Sequence, residues 1–152
     1  ASIAPFEAFK TKDSYIIIAA GNDKLFTKLC DVLKIPEASN DERFNSNSLR
    51  CENMDHLKEI FEKQLSSKST DEWVKEMEEL KIPCGPIFNI KQAVENPQIQ
   101  ERNMIVKSYH KIIGEFKSAG NPIKMSTYKD ENTRGDIPDL DEHREKIIKE
   151  FS

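Results

Sequence analysis

The sequence predicts an α+β fold, a small mixed or antiparallel sheet packed with amphipathic helices, and three observations carry that expectation. An apolar run, Tyr15-Ile16-Ile17-Ile18-Ala19, stops at Ala20-Gly21-Asn22 and passes at once into a helix-period pattern. Two more helix-period stretches follow, from Asn53 to Leu65 and from Ser69 to Leu80. Short apolar runs then return at Ile87-Phe88, Met104-Ile105-Val106 and Ile112 to Phe116. Buried strands combined with several one-sided helices make a sheet with helices laid on it.

Phe6 to Lys10 alternates apolar and polar, with Phe6 and Ala8 set against Glu7 and with Phe9 breaking the pattern. The polar Thr11-Lys12-Asp13-Ser14 reads as the turn of a hairpin whose second strand is Tyr15 to Ala19. That second strand has no polar alternation, so burial on both faces is expected. Beyond it, Leu25, Phe26, Leu29, Cys30 and Leu33 lay one apolar stripe on a helix from Asp23 to Lys34. Gly21 offers backbone angles closed to other residues, Asn22 is a good N-cap, and Asp23 places a negative charge where the helix dipole favours it. The residues alone favour a plain turn and cap here over a ligand-facing loop.

Pro36 ends the first helix, and Ser39 to Ser48 is polar enough to be loop with at most a short helical turn. Met54, Leu57, Ile60, Phe61 and Leu65 form the inward stripe of the next helix, with Asn53 as its cap. Ser69 and Glu72 make a capping box ahead of Trp73, Val74, Met77 and Leu80. Pro83 and Gly85-Pro86 force extended geometry, and Ile87-Phe88 is expected to pair with Tyr15 to Ala19. Short helices are expected at Ile90 to Glu95 and Gln98 to Arg102, then a hairpin from Met104 to Phe116. Tyr128 to Asp136 has no core-forming spacing and reads as exposed linker, after which Leu140, Ile147, Ile148 and Phe151 give a last amphipathic helix.

Composition narrows the function classes. The 152 residues are 33% charged with a net charge of −4, so no basic field is present to hold nucleic acid or an anionic membrane. The three cysteines, Cys30, Cys51 and Cys84, are odd in number and widely spaced, which suits free thiols in a reducing compartment, cytoplasmic or mitochondrial. Neither a leader nor a membrane-length run is recognisable. Glu76, Glu78 and Glu79 fall on the wet face opposite Trp73 and Met77 and are set aside as catalysts. His56, His110 and His143 are isolated, so no metal is expected. No phosphate-cradling loop, nucleophile elbow or dinucleotide fingerprint occurs.

Ile82-Pro83-Cys84-Gly85-Pro86 with Ile87 to Ile90, followed by Asn96-Pro97-Gln98 and Arg102-Asn103-Met104, resembles the mid-chain signature of the family III CoA-transferases, the group named for carnitine and bile-acid CoA enzymes. The resemblance extends back through Ala4 to Tyr15, where the family normally writes Gly at the position of Ser14. It includes Ala20-Gly21-Asn22-Asp23 with Phe26, and Leu49-Arg50. Pro138 to His143 is similar to a segment usually written Leu-Gly-Glu-His-Thr, with Asp141 here replacing the Gly and Arg144 the Thr.

The resemblance implies a small domain over residues 1–125, a linker over 126–139, and a C-terminal helix over 140–152 that docks on a large domain absent from this chain. That large domain would carry the family's catalytic aspartate, which works through covalent mixed-anhydride and thioester intermediates, so no catalytic residue is expected here and the chain alone should be inactive. Gly21 and Asn22 are the positions that would face substrate in a cleft between domains. Acyl-CoA and a carboxylic acid would be the substrates, coenzyme A entering as thioester substrate with no resident cofactor, and the full protein would be a homodimer. Two other readings stand beside CoA transfer: an α-methylacyl-CoA racemase of the same family, and a non-catalytic interaction module. Racemase-like relatives tend to carry a carboxylate at the position of Asn22, and an amide cannot exchange a proton at neutral pH, which tilts the choice toward transfer.

Overall fold

A computed structural model describes residues 2–152, and the chain divides into two compact units, Ala1–Ile87 and Phe88–Ser152. In the first unit, strand β1 (Phe6–Lys10) pairs antiparallel with β2 (Tyr15–Ala19), and β2 pairs antiparallel with β3 (Cys84–Pro86), in the order β1-β2-β3. Helices α1 (Asp23–Val32), α2 (Asn47–Glu52), α3 (Met54–Leu65) and α4 (Thr70–Glu79) accompany this sheet. One core joins Phe9, Ile16 and Ile18 of the sheet to Phe26 and Leu29 of α1, Leu57, Phe61 and Leu65 of α3, and Trp73 and Met77 of α4. The α+β class expected from the sequence is therefore the one observed.

Burial on the strands differs from expectation. In β2 only Ile16 and Ile18 are buried, while Tyr15 is 48% and Ile17 41% exposed, because the core lies on one face of the sheet. In β1 the pattern is the inverse of the one the alternation suggested. Phe9 faces the core and Phe6 is 60% exposed. Glu7 shares the side of Phe9, and its carboxylate is satisfied there by the Lys58 ammonium of α3 at 2.5 Å. The third strand also starts earlier than Ile87-Phe88: Ile16 pairs with Pro86 and Ile18 with Cys84, leaving only the Ile87 N–H to donate to the Tyr15 carbonyl.

Helix ends follow their side chains. The Ser69–Glu72 capping box is present. Asn53 precedes α3 but does not cap it; its Nδ2 donates instead to the Leu49 and Arg43 carbonyls. Both α1 and α4 close on a Lys-Ile-Pro sequence, with Lys34 (φ 59°) and Lys81 (φ 58°) in the left-handed region. The following Ile35 and Ile82 amides then reach back to the Cys30 and Met77 carbonyls, and both isoleucines are buried, so the apolar contact drives the lysine into a conformation that glycine usually takes. Among the residues expected as loop, Pro36–Asn40 is a 3-10 turn and α2 is a full helix whose cap, Ser46, accepts from the Leu49 N–H.

The β1–β2 turn is tied to the start of α4. Asp13 accepts from the Thr70 N–H at 2.9 Å and from the Thr70 and Thr11 hydroxyls, and the Thr70 amide is the main reason its carboxyl titrates below the ordinary 3.8. A depressed carboxyl stabilises the fold above its unfolded pKa and loses that contribution as pH falls through the folded one. Asp13→Asn should therefore lower the urea midpoint at neutral pH, and the gap to the parent protein should narrow as pH falls below the ordinary carboxylate range. A gap that stays constant with pH would assign the effect to packing.

Cys30 lies in the core, and burial pushes its thiol up to about 12. Thiolate is the reactive form, so iodoacetamide at pH 7.5 should leave Cys30 unlabelled until the protein unfolds, whereas half-buried Cys51 should label in the native state. Labelling of both at one rate would contradict this packing.

The second unit holds α5 (Ile90–Glu95), α6 (Pro97–Glu101), a hairpin of β4 (Ile105–His110) and β5 (Gly114–Ala119), strand β6 (Thr133–Asp136) and α7 (Arg144–Phe151). Ile112-Ile113 forms the hairpin turn, not a strand. The sheet order is β5-β4-β6, with β6 parallel to β4. β6 lies within the stretch expected as linker: its apolar periodicity is absent, but the Lys107 N–H donates to the Asn132 carbonyl, the Ile137 N–H to the Tyr109 carbonyl, and Asp130 pairs with Arg134 and Lys124. Gly120 is required by close approach, since a Cβ there would stand 1.9 Å from the Asn103 carbonyl oxygen. α7 starts at Arg144, so Leu140 lies outside it, fully exposed; Ile147, Ile148 and Phe151 on the helix are also exposed. No helix among the described residues is long and apolar enough to cross a membrane.

Candidate functional site

The β2–α1 junction is fixed on every side. The Ala19 N–H donates to the Pro83 carbonyl and the Ala20 N–H to the Pro5 carbonyl, which pins the end of β2 between two other segments. Asn22 is the N-cap of α1, accepting from the Leu25 N–H through Oδ1 at 2.8 Å. Gly21 does not adopt a positive φ; a Cβ there would lie 2.0 Å from the Ile3 methyl Cγ2, so any larger residue would have to push the Ile3 side chain aside. The sequence suggested backbone angles closed to other residues at Gly21, whereas the structure shows a close approach.

The guanidinium of Arg50, completely buried, organises the surroundings. Its Nε donates to the Ala4 carbonyl at 2.8 Å, Nη1 to the Phe44 carbonyl at 3.0 Å, and Nη2 to both the Gly21 carbonyl at 3.0 Å and Asp23 Oδ1 at 2.9 Å. The plane sits 4.6 Å from the centroid of the Phe26 ring, a cation–π contact. Asn47, one turn earlier on α2, accepts from the Ala4 N–H and donates to the Ser2 carbonyl. Arg50 and Asn47 are the residues that sequence reasoning missed as determinants. The available signal was an arginine at Leu49-Arg50 in an otherwise polar segment.

Beside this cluster is an open cavity of about 440 Å³ lined by Ile3, Phe6, Ala19, Gly21, Asn22, Leu25 and Asn47. Gly21 and Asn22, singled out from the sequence, therefore share one concave surface. Its walls are apolar, and its polar side chains are two amides. Asn22 spends its oxygen on the helix cap, and among the described residues no partner stands at its Nδ2, which leaves two N–H donors on the exposed side. None of the lining side chains can act as nucleophile or proton carrier, so this surface can hold and orient an acceptor group but cannot itself perform a covalent or acid–base step.

The remaining candidates do not assemble into a site. Glu76 pairs with Lys68, and Glu78 and Glu79 are exposed, as a solvated helix face requires. His56 stacks on Phe44 at 6.2 Å, and His110 lies 3.7 Å from Asp139. Among the described residues no group of three or more His, Cys, Asp or Glu is placed to hold a metal ion.

A family profile described as "CoA-transferase family III" matches residues 1–144. This chain belongs to CoA-transferase family III. It is 39% identical over 99% of its length to an acetyl-CoA:oxalate CoA-transferase of Acetobacter aceti and covers 37% of that protein. It is 32% identical over 98% of its length to a human succinyl-CoA:glutarate CoA-transferase, covering 34% of it. Among solved structures, a CaiB/BaiF family protein from Brucella suis superposes with a TM-score of 0.77 and 31% identity, over 99% of this chain and 38% of that one. The chain thus spans little more than a third of the family III relatives it matches.

Proposed function

We propose that this chain is the small-domain region of a CoA-transferase that moves CoA between carboxylic acids, with Gly21 and Asn22 facing the acyl-CoA and carboxylate substrates. The observation that carries the proposal is the 39% identity to an acetyl-CoA:oxalate CoA-transferase over 99% of this chain and only 37% of that protein. A cavity that can bind but holds no nucleophile agrees with it. In this reading the nucleophile is an aspartate outside residues 1–152, whose carboxylate attacks the thioester carbonyl and expels the CoA thiolate to leave a mixed anhydride. Coenzyme A is substrate throughout. The exposed outer face of the first sheet, with Phe6, Tyr15 and Ile17, and the apolar side of α7, with Ile147, Ile148 and Phe151, would pack on the remaining two-thirds of a protein that works as a homodimer.

Transfer is favoured over racemisation by Asn22, because an amide at that position donates hydrogen bonds but cannot shuttle a proton. The test is direct. The full-length protein containing this chain should exchange CoA between acetyl-CoA and oxalate or between succinyl-CoA and glutarate, and residues 1–152 alone should show no turnover. Exchange by the isolated chain would place the chemistry within these residues, and epimerisation of a 2-methylacyl-CoA by the full-length protein in place of exchange would select the racemase.

A further inference from the structure

We propose that Arg50 is a positioning residue for the reaction, a clamp that sets the distance between the two walls of the Gly21–Asn22 cavity; the inference rests on the reading of that cavity as substrate-facing. The argument lies in where its hydrogen bonds end. The Ala4 carbonyl belongs to the segment that carries Ile3, one wall of the cavity, and the Gly21 carbonyl and Asp23 carboxylate flank Asn22 on the other. Burial obliges Arg50 to find acceptors, and the ones it takes lie on the two rims of the cavity. Asn47, on the same side of α2 and one turn away, grips the Ile3 segment again through the Ala4 N–H and the Ser2 carbonyl. The fourth bond, to the Phe44 carbonyl, anchors the clamp in the interior.

The chemistry requires arginine. Three nitrogens in one plane reach three divergent directions, and the stacking of that plane on Phe26 fixes its orientation. A lysine ammonium is a single point and would satisfy one rim or the other. Because the Gly21 carbonyl precedes Asn22 directly, release of that carbonyl lets the turn rotate and carries the Asn22 amide off its aim while the cores of α3 and α4 stay packed.

The test uses the full-length protein. In Arg50→Lys, amide exchange in residues 19–26, which holds the Ala20, Leu25 and Phe26 amides, should accelerate at least tenfold, with residues 57–65 changed by less than twofold. If Arg50→Lys does not fold, Asp23→Asn removes the charged arm from the exposed side of the clamp and should accelerate the same peptide severalfold. Unchanged exchange at 19–26, or equal acceleration in both peptides, overturns the positioning role. For acetyl-CoA and oxalate, kcat/KM should fall at least tenfold in Arg50→Lys, and the double variant with Asn22→Ala should be no more than about twofold below the worse single variant, since both lose one function. Fully additive losses overturn the coupling. A fully active Asn22→Ala variant would instead overturn the substrate-facing reading of the cavity, while the exchange data would still decide whether Arg50 holds the turn.

Discussion

Truncating Phe61 to alanine should destabilise the first unit by about 3–5 kcal/mol, the range for removing a large aromatic ring from a core. Phe61 has no exposed surface and sits between the Phe9 ring at 5.7 Å and the Phe26 ring at 6.2 Å, so its loss opens a hole between the sheet, α1 and α3 together. Backbone collapse into that hole is limited because β1 is bonded along its length to β2 and the Lys10 N–H is held by Glu62 of α3. Against a total stability of about 5–15 kcal/mol the loss is a large fraction, and the melting temperature should drop by about 10 °C or more. Phe61→Leu, which keeps most of the volume, should cost less than half as much. Thermal unfolding of the two variants side by side checks this, and near-equal behaviour would mean that the core closes over the missing ring.

The second large effect concerns activity. Asn22→Asp in the full-length protein should reduce kcat/KM at least tenfold while the melting temperature barely moves. Aspartate caps a helix about as well as asparagine, and Oδ1 would still accept from the Leu25 N–H, so the fold has little reason to respond. On the proposed reading of the cavity, two N–H donors would be replaced by a negative charge facing an anionic carboxylate substrate. In a partly desolvated cleft such repulsion amounts to about a few kcal/mol, and each 1.4 kcal/mol is a factor of ten in rate. Undiminished activity at undiminished stability would return Asn22 to the role of a turn and cap.

Much of the architecture was legible from local patterns. The hairpin of β1 and β2, the three main helices, the Ser69–Glu72 box and the N-cap at Asn22 all follow from residue types at short spacing, and all stand where those residues put them. The errors share one cause. An apolar run such as Tyr15 to Ala19 states that both faces can be buried, not that both are, and Tyr15 and Ile17 remain exposed on the face away from the core. Phe6 and Phe9 are equally apolar, and only the packing of Phe9 on Phe61, with Lys58 of α3 to pair Glu7, decides which side of β1 turns inward. Strand β6 has no apolar period because backbone bonds to β4 and the Asp130 ion pairs define it.

By itself the sequence determined the main elements of the first unit, the family and the position of the Gly21–Asn22 junction, since these depend on the local propensities of neighbouring residues and on an ordered series of short motifs. Only the tertiary structure decided why that junction has its shape. Gly21 makes room for a methyl from Ile3, eighteen residues away in the chain, and its own backbone angles do not call for glycine. Arg50 stands next to a polar segment of the sequence, yet folding removes all of its surface from water because carbonyls of Ala4, Phe44 and Gly21 and the carboxylate of Asp23 converge on it. A buried charge is tolerated only when its full set of partners is present, and partners brought together from three separate segments exist only in the folded chain.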